Sequence, residues 1–140
     1  MQNDLSRFLK AQEHDYSRAL QEIRSGRKRS HWMWYIFPQI QGLGFSSTAQ
    51  FYAIRDLDEA KAYLAHPVLG ARLKEISSAL LELDGLSADE IFGYPDDLKL
   101  RSSMTLFRLA DLDCDIFEKV LEKYYDGSPD SRTVNILKSL

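Results

Sequence analysis

A single cysteine, Cys114, stands in the chain, so no internal disulfide can form, whereas small domains of oxidising compartments usually carry several. A reducing cytoplasm is the expected location. Flanked by Asp113 and Asp115, Cys114 also lacks the electropositive setting that activates a thiolate. Histidine is scarce too: His14, His31 and His66 stand far apart, with no H-x-x-x-H spacing, so no metal site is expected. The longest apolar run, residues 32–37, is far too short to span a bilayer, which excludes membrane insertion. The first residues, MQNDLSRFLKAQ, are polar and amphipathic, and no secretory signal is expected there. There is no GxGxxG, GxxxxGK[ST], GxSxG, HExxH or CxxC, so none of the familiar cofactors is expected. A net charge of -3 creates no global field that would gather polyanions, so any such binding must be local.

Valine is also rare. The chain has 3 valines against 20 leucines, a bias toward helix, because β-branched side chains lose rotamer freedom there. With 140 residues, 44% hydrophobic and 28% charged, one core and one domain over 1–140 are expected. The periodicity predicts an all-α fold of about six to eight helices interrupted by an irregular aromatic and Gly-Pro segment. A first helix follows Asn3 or Asp4 as cap, carries Leu5, Phe8, Leu9, Tyr16, Leu20 and Ile23, and stops at Gly26. Asp56 caps the next, and Pro67 opens a longer one whose buried stripe is Val68, Leu69, Leu73, Ile76, Leu80 and Leu83. Ser87 to Glu90 is a capping box. Tyr94 and Pro95 open a helix carrying Leu98, Met104 and Phe107, Asp113 or Asp115 starts another that ends at Gly127, and a last one begins near Asp130.

Two segments depart from this plain pattern. In residues 24–44, four cations (Arg24, Arg27, Lys28, Arg29) precede His31, Trp32, Trp34 and Tyr35, and both tryptophans of the chain lie there. Aromatic faces stack on bases while nearby cations hold phosphate, which suits a nucleotide or a single strand. The same string also fits a solvated basic turn followed by a buried aromatic element. The second segment is residues 96–105, where Lys99 and Ser103 are spaced to share a helix face, a lysine beside a hydroxyl. Its serines and threonine fit equally well as side chains bonding back to the preceding turn, and Asp97 and Arg101 as a surface ion pair. His31 is the candidate proton carrier, since imidazole titrates near neutral pH, and His66 marks a helix start. The carboxylates Asp15, Glu22, Glu75, Glu82, Glu118 and Glu122 read as solvated helix faces.

The strings RFLKAQ (7–12), SHWMWYIFPQ with GLG (30–44), EAKAYLAHPVLGARL (59–73), IFG (91–93) and KLRSSMTLF (99–107) carry a family resemblance. From about Asp4 to Leu140 the chain resembles the family called domain of unknown function 1810, members of which are sometimes labelled calpastatin. The resemblance implies a compact, mostly helical bacterial domain and brings no established activity. Calpain inhibition belongs to long disordered chains, and this composition is that of a folded domain, so the label is not carried over. The family pattern places His31, Trp32, Trp34, Pro38 and Gln39 in one motif and Lys99, Ser103 and Thr105 in another.

The leading expectation is a cleft lined by residues 27–42 and 97–107 for a small anionic or nucleotide-like ligand. In it Trp32 or Trp34 stacks, Lys28 or a flanking arginine and Lys99 bind charge beside Ser103, Gln39 orients the ligand, and His31 moves protons if there is chemistry. Catalysis is left open. The alternatives are an interaction module whose basic-aromatic segment meets nucleic acid or an acidic protein, and a purely structural domain.

Overall fold

The computed structural model describes residues 4–140, and leucine periodicity becomes nine α-helices among them. They are α1 (Ser6–Arg24), α2 (Met33–Ile36), α3 (Ser47–Phe51), α4 (Leu57–Ala65), α5 (Leu69–Glu82), α6 (Ala88–Phe92), α7 (Asp96–Ala110), α8 (Ile116–Tyr125) and α9 (Ser131–Ser139). The helix beyond the expected six to eight is α3, one turn whose Ser46 side chain accepts from the Ala49 N–H. It lacks a buried face, and periodicity detects only helices that bury one.

The architecture is one all-helical domain in which α7 is the centre, packed against α4, α6, α8 and α9, while α1 lies on α5 and α2. Residues Ser102 to Phe107 are buried without interruption, as expected of a helix surrounded on all sides. Through the core runs a chain of ring contacts, Phe8–Tyr63–Phe107–Phe117, with centroids 5.2, 5.3 and 6.0 Å apart. Among the described residues a single parallel bridge joins Ile40 to Ile54, through Gln41 N–H to Ile54 O and Ile54 N–H to Gln39 O. That bridge closes the segment between them, which holds the Gly-rich loop and α3.

Most helix ends behave as their residues dictate. Asp56 accepts from the Glu59 N–H, Asp130 from the Thr133 N–H, and Ser87 with Glu90 forms the reciprocal capping box. His66 is a cap: its Nδ1 accepts from the N–H groups of Val68 and Leu69 at 3.1 and 3.2 Å, just after Pro67, which has no N–H to offer. Gly70 brings α5 close to α4, since a Cβ there would lie 2.0 Å from the Leu64 carbonyl oxygen. At the start of α1 the cap position falls on Leu5, without a side-chain capping bond; Asp4, one residue earlier, accepts from the N–H and hydroxyl of Ser6, and the other expected cap, Asn3, lies outside the described residues. Two apolar residues expected inside are exposed: Val68 sits in the cap position ahead of α5, and Leu98 faces out from the first turn of α7. No described helix is long and apolar enough to cross a membrane.

Candidate functional site

One carboxylate organises the basic turn. α1 ends in a Schellman arrangement in which Gly26, at φ 84°, donates to Ile23 O and Arg27 N–H donates to Glu22 O. The reversal carries residues 29–32 back over the side chain of Glu22. Its Oε1 accepts from the N–H groups of Arg29 (2.7 Å) and Ser30 (3.0 Å) and from Trp32 Nε1 (2.9 Å), and its Oε2 accepts from the Ser30 hydroxyl (2.6 Å). Burial alone pushes a carboxyl pKa up, but these four donors outweigh it and hold Glu22 down at about 2. Glu22 is therefore buried and fully engaged, not a solvated face residue. Asp15 and Glu75 are likewise engaged, accepting the hydroxyls of Tyr35 and Tyr16; burial first, then the carboxylate, pushes both phenols well above their ordinary range.

Trp32 is completely buried, edge-on to Phe92 and tilted against Phe37. Lys28 lies over its indole at 5.2 Å and pairs with Asp96 at 2.9 Å. Asp96 also pairs with Lys99 at 3.1 Å, and the Lys99 ammonium sits 4.9 Å from the ring centroid of Trp34. Asp96 thus joins the basic turn to α7.

On the Trp34 side of this junction opens a cleft of about 540 Å³, within the range of small-molecule sites. The loop before α3 supplies Gln39, Leu43, Gly44 and Phe45, the start of α7 supplies Tyr94, Leu98, Lys99, Arg101 and Ser102, and the start of α9 supplies Asp130 and Arg132. Phe45 and Tyr94 are each 78% exposed, a large apolar area at the rim of one cavity. Arg101 is held by neutral acceptors: its Nε donates to Ser128 O at 2.9 Å and its Nη2 to Ser128 Oγ at 2.6 Å. The Arg132 side chain forms no hydrogen bond or ion pair with any described residue. The start of α9 is fixed by Thr105, whose hydroxyl donates to Arg101 O and accepts from the Asp130 N–H.

Over residues 2–137 the sequence matches the family described as "Protein of unknown function (DUF1810)". The chain belongs to that family. It is also similar to a solved protein, the conserved hypothetical protein Rv1873 from Mycobacterium tuberculosis, at 51% identity over 96% of each chain and a TM-score of 0.95. A comparison with curated proteins found no match.

In this DUF1810 member the residues singled out by sequence do not all meet. Trp34, Gln39 and Lys99 line the cleft together. Trp32 does not, because its indole N–H is spent on Glu22 in the core and neither ring face is open to a ligand. Lys28 does not either, being turned back onto Asp96 and Trp32, and Arg27 and Arg29 stand exposed outside the lining. Ser103 is fully buried with its hydroxyl unpartnered among the described residues; Ser102 is the serine of α7 that reaches the cleft, bonding back to Leu98 O at 3.2 Å. Asp97 and Arg101 form no ion pair, since Arg101 is taken by Ser128. His31 is exposed on a shallow surface beyond Trp34, with Ser47, Thr48 and Phe51, and not in the cleft. The lining therefore differs from 27–42 with 97–107. Sequence reasoning missed Phe45, Tyr94 and Arg132. Phe45 follows two glycines in an irregular stretch, a weak signal for an exposed aromatic, whereas Arg132 has no local signature, because only the docking of α9 brings it here. Among the described residues no three His, Cys, Asp or Glu side chains are grouped to hold a metal ion.

Proposed function

We propose that the cleft binds a small anionic ligand carrying a planar ring, in a protein of a reducing cytoplasm. The observation that carries this reading is the convergence of Lys99, Arg101 and Arg132 with Trp34, Phe45 and Tyr94 around one cavity. The cations come from α7 and α9 and the aromatics from two loops and α2, so the fold and not the local sequence assembles them. A ring packs on the rim aromatics, the anion meets the cations, and Gln39 supplies an orienting amide at the back.

The reading is of binding and not of turnover. Asp130 is committed to the N–H and hydroxyl of Thr133, the Ser46 hydroxyl to capping α3 and the Ser102 hydroxyl to Leu98 O, so these lining groups are engaged in holding the backbone. The alternative of nucleic acid or an acidic protein on the basic-aromatic segment is weakened by the burial of Trp32, which leaves Arg27 and Arg29 without the adjacent stacking face that a single strand uses.

Thermal denaturation with a panel of nucleoside 5′-monophosphates and sugar phosphates tests the site. A ligand at about 100 times its Kd adds about 2.7 kcal/mol, about 5 to 10 °C for a domain of this size. The shift is expected to shrink in Lys99→Ala and Arg132→Ala and to persist in His31→Ala. A shift undiminished in both cation variants, or none with any compound, overturns the proposal.

A further inference from the structure

We infer that the anion taken by the cleft is a terminal phosphate monoester, a dianion, in preference to a phosphodiester, so that the ligand class is a nucleoside 5′-monophosphate. This rests on the reading of the cleft as an anion site and goes on to specify its charge. The lining holds three cations, Lys99, Arg101 and Arg132, against one carboxylate, Asp130. Lys99 pairs with Asp96, but Asp96 is shared with Lys28, so that trio retains one positive charge. Among the lining residues themselves two positive charges stand in excess, in a chain whose net charge is -3.

The placement of the two arginines makes the excess usable. Arg101 is oriented by Ser128 O and Oγ, which are neutral, so its guanidinium is preorganised without being neutralised, and its Nη1 is free of hydrogen bonds among the described residues. The guanidinium also lies 5.8 Å from the Tyr125 ring centroid, which holds its plane. Arg132 follows Asp130 on a helix start fixed by Thr105, and it has no acidic partner of its own. Arginine pairs with phosphate through two parallel N–H groups, and a monoester carries about -1.5 to -2 charge near neutral pH with three free oxygens. A diester offers one charge and two free oxygens, and would leave one cation of the cleft unanswered. The exposed faces of Phe45 and Tyr94 then take the base.

Calorimetric titration of the full chain with the four common nucleoside 5′-monophosphates and their 3′,5′-cyclic counterparts tests this, since each pair keeps the base and ribose and differs in phosphate charge. At least one monophosphate is expected to bind tenfold or more tightly than its cyclic form. Arg132→Gln, at an exposed residue, is expected to remove most of that ratio by weakening the monophosphate more than the cyclic form. A cyclic form that binds as well as its monophosphate, with binding lost in Lys99→Ala, overturns the monoester assignment and leaves the anion site standing. A ratio that survives in Arg132→Gln likewise overturns the assignment. Absence of binding by all eight compounds overturns both.

Discussion

Replacing Glu22 with glutamine keeps the size of the side chain and removes its charge, which isolates the electrostatic part of its role. The carboxylate accepts four hydrogen bonds, and its pKa is held at about 2 against an ordinary value of 4.5. A difference of that size corresponds to about 3 kcal/mol of preference for the charged form in the folded state. The pKa is depressed on folding, so this stability is present above about pH 4.5 and is lost as pH falls through about 2. Glu22→Gln should therefore cost about 3 kcal/mol near neutral pH, about 10 °C in Tm for a chain of this length. The glutamine oxygen can stand in for Oε1 and its amide nitrogen can donate to the Ser30 hydroxyl, which accepts as well as donates, so the loss read in Glu22→Gln is that of the charge. Urea unfolding followed by circular dichroism at about pH 7, 4 and 2.5 reads the effect, and the gap between wild type and variant should narrow as pH falls. A loss below about 1 kcal/mol at neutral pH, or a gap that is the same at all three pH values, refutes the account of Glu22 as the charged anchor of the turn.

Other substitutions test separate parts of the structure. Gly70→Ala drives a methyl group into the Leu64 carbonyl and should cost about 3 kcal/mol or more by forcing α4 and α5 apart, measurable as a lowered urea midpoint. Ser87→Ala removes one half of the capping box at α6 and should cost about 1 kcal/mol. Thr105→Val keeps the shape of the side chain but leaves the Asp130 N–H without its acceptor; a loss of about 1 to 2 kcal/mol is expected, together with weaker ligand binding because Arg132 rides on the same helix start. His31→Ala, on an exposed side chain outside the cleft, should stay within about 0.5 kcal/mol of wild type.

Helices that bury one face were legible in the sequence, and so were ends marked by Asp56, Ser87 and Asp130, because apolar spacing and short-range capping are local physics. The single turn of α3 was not, since it buries nothing. The cleft was half legible. Trp34, Gln39 and Lys99 stand in composition-rich segments and do line it, but the sequence gives no way to tell Trp32 from Trp34. That distinction depends on Glu22, ten residues earlier, reaching the indole after a helix reversal. The same limit hid Arg132, which reaches the cleft through the bond between Thr105 and Asp130 across 25 positions. Lys28 read as a ligand contact because nothing local revealed that Asp96, far along the chain, would claim it.

The two tryptophans, so alike in sequence, give the molecule a pair of optical gauges. Trp32 is sealed from solvent with its indole N–H on the Glu22 carboxylate, so its emission marks the opening of that interior. Trp34 is partly solvated, lies under the Lys99 ammonium and borders the cleft, so its emission responds to whatever enters there or draws Lys99 away. With no third indole in the chain, Trp32→Phe and Trp34→Phe each leave a single emitter. Occupancy and integrity can then be read separately by the colour of the protein's own light, without a label.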